Sequence, residues 1–227
     1  MNTTKLKNLI ISIVFLIIGV MCSQCHGGSI VVNQKKSSKY ELISEKHLVK
    51  DYPAFADSKN INVVVEIPTG SNAKWEVEKS SGNVMWEFKN GKPRIVKYLG
   101  YPGNYGMVPR TSLPKELGGD GDPLDVLIIG SAIPRGSVVE ARPIGILKLL
   151  DGGEQDDKII AVWAGSEVGN VKSIEELNQK FNGVMQIIEI WFSNYKGPGE
   201  MVSKGFGSAD EAYKMIKHSS LAYKKFD

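Results

Sequence analysis

The sequence predicts an α+β domain made mainly of β-strands, with a closed or nearly closed sheet and helices against one side. Short apolar or alternating runs separated by turns continue from Asn62 to Trp163, a pattern typical of strands. The last third instead places apolar residues at helical spacing behind two helix-capping sequences. Because no internal repeat or low-complexity segment breaks this order, we predict a single domain over residues 61–227.

The strands are predicted at residues 63–67, 74–78, 83–88, 94–98, 126–129, 137–150 and 158–163. Lys74, Glu76 and Glu78 alternate with apolar residues in the second strand, which puts the polar side chains on one face. The dipeptide Asn90-Gly91 between the third and fourth strands favours a two-residue hairpin turn.

Two capping boxes predict where helices begin. Ser173 precedes Glu176 by three residues, and Ser208 precedes Glu211 in the same way. The first box is followed by apolar residues at helical spacing, namely Phe181, Met185, Ile188 and Trp191. The second predicts a final helix that ends near residue 225.

Composition narrows the function classes. Of the 227 residues, 42% are apolar and 23% charged, which is typical of a globular chain. The net charge is +3, but Lys5 and Lys7 lie in the first 27 residues, and the rest of the chain holds 26 basic and 25 acidic residues. Cys22 and Cys25 are also in that first segment. The body therefore has no disulfide framework, thiolate zinc site or cysteine nucleophile, and no charge bias toward nucleic acid.

Residues 1–27 are predicted to be a signal peptide or a lipoprotein leader. Their uncharged run of about 14 residues, from Leu9 to Cys22, is shorter than the roughly 20 needed to span a bilayer. Cleavage, lipid attachment at Cys22 or Cys25, and retention as an anchor all stay open. Residues 28–60 are rich in Lys and Ser and are predicted to be a polar tether.

The most informative segment is an acidic turn at residues 118–126, where Asp120, Asp122 and Asp125 precede an apolar strand. Two carboxylates about 4 Å apart repel by roughly 4 kcal/mol at an effective dielectric near 20. The turn is therefore either splayed into water or neutralised by cations. Oxygen-only ligands favour Mg²⁺, Mn²⁺ or Ca²⁺ over zinc, and a second acidic turn with Asp151 and Asp156 could complete such a site.

The segment Asp120-Gly121-Asp122-Pro123-Leu124-Asp125-Val126 resembles the signature of the soluble family I inorganic pyrophosphatases at every constrained position. The resemblance extends over about residues 62–215. It implies an OB-like five-stranded β-barrel with flanking helices. It also implies Mg²⁺-dependent hydrolysis of pyrophosphate to two phosphates by a metal-activated water, without a covalent intermediate. Several Mg²⁺ ions per site are implied, with Mn²⁺ as a substitute.

The resemblance also implies a role for each matching residue. The implied metal ligands are Asp120, Asp122, Asp125, Asp151 and Asp156. The implied substrate-binding residues are Lys74, Arg94, Tyr101, Lys158, Tyr195 and Lys196. The catalytic set is Asp122, as the base toward water, with Arg94, Lys74 and Tyr105. Glu66 and Glu76 would be supporting polar residues of the site.

The chain departs from the family pattern in two places. Gly152 replaces an acid that many bacterial members have beside the metal aspartate, which we expect to affect metal tuning more than activity. Residues 86–99 are longer than in compact bacterial members and resemble the eukaryotic type. Resemblance to the compact members implies a hexamer, and resemblance to the longer members implies a dimer. We therefore expect a homo-oligomer that is either a dimer or a hexamer.

Two other functions stay open on the residues alone. One is a metal-dependent anion-binding module of the OB type, and the other is a hydrolase of another small phosphoanhydride such as short polyphosphate. The sequence has no P-loop and no His-Glu-x-x-His pair, so nucleotide hydrolysis of that type and zinc chemistry are not expected. A working leader would export the protein to the periplasm, the medium or a lipid anchor. Any membrane attachment would then involve only the N-terminus. If the leader does not function, the resemblance implies a cytoplasmic protein.

Overall fold

The computed structural model describes residues 30–32, 34–113 and 121–223. The predicted leader and Asp120 lie outside these residues. The first nine strands are β1 Ile30–Val32, β2 Gln34–Ser37, β3 Glu41–Ser44, β4 Ile61–Ile67, β5 Trp75–Val77, β6 Val84–Trp86, β7 Phe88–Lys89, β8 Lys92–Pro93 and β9 Asn104–Met107. They are followed by β10 Asp125–Ile129, β11 Ser137–Asp151, β12 Glu154–Gln155, β13 Lys158–Trp163, α1 Ile174–Lys180, α2 Val184–Asn194, β14 Met201–Ser208 and α3 Ala209–Tyr223.

Five strands close into a ring, which confirms the predicted OB-like barrel. β4 pairs with β9, β9 with β10, β10 with β13, β13 with β11, and β11 back with β4. The β10–β13 pair is parallel and the others are antiparallel. β11 spans 15 residues and shifts register between Pro143 and Gly145. This bulge bends the strand, so that its two halves pair with different neighbours.

The strands alternate apolar side chains between two buried clusters, as period-two patterning requires. In β10, Leu127 packs with one cluster and Val126 and Ile128 with the other. α1 and α2 join the Leu127 cluster, whereas α3 joins the second through Ala212 and Ile216. The helices thus flank the barrel at two places rather than one. None of the three helices in the described ranges is long and apolar enough to cross a membrane.

The prediction that residues 28–60 form a polar tether is wrong for the described residues of this range. β2 and β3 form a second sheet with β6 and β5, and β1 pairs with β11. Leu48 and Val49 are buried in one cluster with Trp75 and Val84 of the second sheet, and Ala54 is buried in the cluster that contains Ile61 of β4. The segment looks polar because its strands present exposed lysines and serines, yet a few apolar residues are enough to fix it on the core.

Local predictions from turns and caps agree well with the structure. The Ser173 Oγ accepts the Glu176 amide at 3.2 Å, and the Ser208 Oγ accepts that of Glu211 at 3.2 Å. Asn90 and Gly91 form the hairpin turn with φ of 54° and 72°. Residues 94–98 are not a strand, however, because only an isolated bridge joins Ile95 to Ala73. The helical run after Ser173 is divided at Gly183, whose φ is 92°.

Candidate active site

One cleft of about 230 Å³ brings together most of the predicted site residues. Those that line it are Lys74, Glu76, Arg94, Tyr105, Asp122, Asp125, Asp156, Lys158, Tyr195 and Lys196. Three others touch this set. Tyr101 packs its ring 5.1 Å from that of Tyr105, Asp151 forms an ion pair with Lys196, and Glu66 shares an adjoining cavity with Asp122.

The parallel strands β10 and β13 place the central pair of the cleft. Val126 is opposite Ile159, and each is preceded by a charged residue, Asp125 and Lys158. Parallel strands begin at the same edge of a sheet, so these two side chains meet there. The Lys158 Nζ also lies 2.6 Å from Asp156, which precedes β13 by two residues. The barrel register therefore determines which charges are neighbours.

Tyr105 reaches the same place because β9 lies close to β4 at Gly106. A Cβ on Gly106 would lie 1.8 Å from the Val64 carbonyl oxygen, so only glycine fits there. Burial and the negative charge of Asp125 raise the pKa of the Tyr105 phenol well above its usual value. Tyr105 is therefore a neutral donor at any physiological pH, as are Tyr101 and Tyr195, whose pKa values burial also raises.

Lys158 is the most buried charge of the cleft, with 3% of its side chain exposed. Burial alone would lower its pKa, but the ion pairs with Asp125 and Asp156 outweigh that and raise it. The pKa of Asp125 is lowered, because Lys158 and Lys74 overcome the effect of its burial. That of Asp156 is raised, because burial and Asp125 exceed the attraction of Lys158. The ammonium stays charged and holds the two carboxylates in place.

Glu66 lies at the buried end of β4 and accepts the Val77 amide at 2.7 Å. Burial raises its pKa to about 8, against the opposing attraction of Lys74. Lys74 forms an ion pair with Glu76 at 2.8 Å, and its pKa is raised by Tyr101 and Glu76 despite burial. The alternation predicted for residues 74–78 is thus what directs Lys74 and Glu76 to the cleft.

The second acidic turn contributes Asp156 to the lining of the cleft, and its Asp151 pairs with Lys196. This ion pair raises the pKa of Lys196, although burial opposes it. Gly152 and Gly153 have φ of 56° and 97°, the geometry of a two-residue turn between β11 and β12. Position 152 of this turn has a positive φ, which glycine adopts more readily than an acidic residue does. This explains in structural terms why glycine replaces the acid there.

Two contacts of the site were missed in the sequence. Arg94 donates through Nη1 to both carboxylate oxygens of Glu87, at 2.8 and 2.7 Å. The hairpin register pairs Phe88 with Pro93, so extending it by one residue would have placed Glu87 opposite Arg94. The second contact is an ion pair of Lys79 with Asp122, for which the sequence has no signal.

In the part of the chain that the structure describes, no three acidic, histidine or cysteine side chains converge closely enough to hold a metal ion. The carboxylates lie instead against lysines: Asp125 and Asp156 on Lys158, Asp151 on Lys196. Asp120, which the signature segment adds to the acidic set, is outside the described residues.

The comparisons with known proteins identify the family of this chain. The sequence profile of the inorganic pyrophosphatases matches residues 63–224. An inorganic pyrophosphatase of Xanthomonas axonopodis pv. citri is 38% identical over 170 residues, which are 73% of this chain and 90% of that protein. The solved structure of inorganic pyrophosphatase from Schistosoma japonicum is similar with a TM-score of 0.77 and 29% identity, covering 87% of this chain and 80% of that one.

Some relatives are longer than the region they share with this chain. The mouse inorganic pyrophosphatase is 35% identical over 178 residues, 72% of this chain but only 61% of the mouse protein. The profile match nevertheless includes the barrel, both acidic turns and α2. On this evidence the chain belongs to the inorganic pyrophosphatase family.

Proposed function

We propose that this chain hydrolyses inorganic pyrophosphate to two phosphates and depends on Mg²⁺ to do so. The observation that supports this best is the division of charge in one cleft. Asp122 and Asp125 also line an adjoining cavity that has four carboxylates, the other two from Glu66 and Glu76, beside Lys74 and Lys79. Arg94 and Lys196 line a different adjoining cavity, which shares no residue with the first. A small polyanion fits such a cleft with one phosphate at the cationic end and the other beside the carboxylates.

The carboxylates are suited to Mg²⁺ because the donor set contains only oxygen. Asp122, Asp125, Asp151 and Asp156, with Asp120 from the signature segment, would hold several ions, and Mn²⁺ could replace them. When bound, Mg²⁺ supplies positive charge toward the phosphate oxygens and acidifies a coordinated water. Membership of the family supports metal dependence in general, and Mg²⁺ in particular is our proposal.

The protein's own groups then have separate tasks. Asp122, whose side chain is 50% exposed, would accept the proton of the attacking water. Arg94 and Lys196 would hold the departing phosphate, and Lys74 would hold the phosphoryl group that is attacked. Tyr105, kept neutral by burial, would donate a hydrogen bond without adding charge. Glu76 would keep Lys74 oriented through their ion pair.

The same family relationship supports the remaining assignments. Tyr101, Tyr195 and Lys158 would complete the substrate site, with Lys158 acting through the carboxylates it holds. We also propose that the protein forms a dimer or a hexamer, which light scattering of the purified chain would determine. Export through residues 1–27 is tested by mass spectrometry of the mature N-terminus, which distinguishes cleavage, lipidation at Cys22 or Cys25, and retention.

The central test is phosphate release from pyrophosphate by the purified protein, with Mg²⁺ and after its removal by a chelator. We expect turnover that requires the metal and returns when Mg²⁺ is restored. Phosphate release no faster than the uncatalysed background in the presence of Mg²⁺ would refute the proposal. Binding of pyrophosphate without turnover would instead support a metal-dependent anion-binding module.

A further inference from the structure

Lys79 forms an ion pair with Asp122, the residue proposed to accept the proton of the attacking water. None of the roles implied by the family resemblance falls on Lys79, and Lys79 is not among the residues that line the cleft. It lines instead an adjoining cavity of about 110 Å³, together with Asp122 and Asp125. An ammonium group thus reaches the proposed base from outside the cleft.

The turn between β5 and β6 holds Lys79 in this place. The Glu78 carboxylate accepts the backbone amides of Ser80 at 3.1 Å and Ser81 at 2.7 Å. The Glu78 carbonyl oxygen also accepts the Gly82 amide at 2.8 Å. None of these contacts uses the Lys79 side chain, so a substitution there should leave the turn intact.

The adjoining cavity has more acids than cations. Its charged groups are four carboxyls and two ammonium groups, from Glu66, Glu76, Asp122, Asp125, Lys74 and Lys79. Of the two lysines, Lys74 is paired with Glu76 at 2.8 Å. The Lys79 ammonium therefore neutralises Asp122, and a divalent ion that binds Asp122 meets a positive charge already in contact with that carboxylate.

Among the described residues, three lysines form ion pairs with proposed metal ligands, and they differ in exposure. The exposed fraction of the side chain is 3% for Lys158, 28% for Lys196 and 58% for Lys79. An ion pair in water is weak, because water solvates each charge nearly as well as the partner does. Lys158 therefore stays with its carboxylates, whereas Lys79 is the most readily displaced of the three.

We propose that Lys79 competes with Mg²⁺ for the Asp122 carboxylate and so raises the metal concentration at which the site fills. This inference rests on the proposed function, because it takes Asp122 to be a metal ligand. Since an ammonium group and a divalent ion repel each other, they do not share one carboxylate at close range. As the metal binds, Lys79 moves into solvent, and Asp122 changes from an ion-pair partner into a ligand.

Calorimetric titration of the full chain with Mg²⁺, in the absence of pyrophosphate, tests this inference without turnover. Lys79→Met keeps the length of the side chain and removes its charge. It should lower the apparent Kd for Mg²⁺ about threefold, which is within the usual range for an exposed ion pair. Lys79→Arg keeps the charge and should bind Mg²⁺ like the parent.

The matched control is Lys97→Met. Lys97 and Lys89 line the other adjoining cavity, and within the described residues neither forms an ion pair. Lys97→Met removes the same charge near the cleft without touching Asp122, so the Kd for Mg²⁺ should change by less than about 1.5-fold. An equal gain in this variant would overturn the inference, because the effect would then be general.

A double variant tests whether the effect passes through Asp122. In the Asp122→Asn background, Lys79→Met should leave the Kd unchanged, because the carboxylate for which the lysine competes is gone. A gain that persists there, or unchanged binding after Lys79→Met alone, would overturn the inference. So would weaker binding, which would mean that Lys79 orients Asp122 for the metal. A parent protein that binds no Mg²⁺ would refute the proposed function as well.

Discussion

The two halves of the cleft are built differently. One half, which we call the strand wall, comes from the barrel: Glu66, Tyr105, Asp125 and Lys158. The other, the loop rim, comes from loop residues and from Asp151, the last residue of β11 at the second acidic turn: Arg94, Asp122, Asp151 and Lys196. Only 3% of the Lys158 side chain is exposed, against 50% for Asp122.

This difference separates stability from function. The charged side chains of the strand wall are partly or fully buried. Removing the oppositely charged partner of one of them would therefore lower the stability of the fold. In the ion pairs of the loop rim both side chains are between 27% and 58% exposed, so these pairs contribute less to stability than those of Lys158 and can exchange their partners for a ligand. The strand wall therefore fixes the geometry of the cleft, and the loop rim supplies groups that react or bind.

The largest effect is expected at the loop rim, on activity. Asp122→Asn should lower kcat for pyrophosphate by about 10²- to 10⁴-fold, the usual contribution of a general base. Urea unfolding should be nearly unchanged, because the side chain is half exposed. Asp210→Asn, an exposed acid in the first turn of α3, is the matched control. Turnover equal to that of the parent would contradict the assignment of Asp122 as the base.

The second effect is expected at the strand wall, on stability. Lys158→Met should lower the free energy of unfolding by about 3 kcal/mol, because Asp125 and Asp156 lose the cation that neutralises them. We expect the lower part of the usual range, since both carboxylates are partly exposed. Lys148→Met breaks an exposed pair with Glu211 and should leave urea unfolding unchanged. A Lys158 variant as stable as the parent would remove the distinction between wall and rim.

Glu66 predicts a pH dependence of the strand wall. Its pKa of about 8 in the fold exceeds the usual 4.5, so the folded state keeps a proton that the unfolded chain releases. Stability of the metal-free protein should therefore fall as the pH rises, by about 2 kcal/mol between pH 5 and 7 from this group alone. Glu66→Gln should remove that part of the slope in urea unfolding, whereas the exposed Glu76→Gln should keep it. Identical slopes in both variants would contradict the prediction.

The smallest effect concerns the orientation of a rim residue. Glu87→Gln leaves Arg94 without its carboxylate partner and should raise the KM for pyrophosphate about fivefold, or about 1 kcal/mol of binding. Stability should hardly change, because both side chains are about one-third exposed. Glu140→Gln, at an exposed position of β11, is the control for loss of charge. A KM unchanged from the parent would show that Arg94 needs no such support.

Local sequence signals predicted the elements that depend on neighbouring residues. The Ser173 and Ser208 caps and the Asn90-Gly91 turn are satisfied within four residues, so their sequences are sufficient. The predictions of a strand at 94–98 and of a tether are wrong, the second for the described part of residues 28–60, because both outcomes depend on distant partners. β2 and β3 depend on long-range pairing, because β2 pairs with β3 and β3 pairs with β6, which is about 40 residues further along the chain.

The sequence by itself determined which chemistry the protein has: the acidic turn with Asp122 and Asp125, the cations, and the tyrosines that matched one family. Only the tertiary structure decided which charges are neighbours and which are exposed. Barrel register joins Asp125 to Lys158 across 33 positions, and the same folding places Lys89 and Lys97 beside the cleft. Such distances depend on strand pairing between remote segments, which residue types along the chain do not specify.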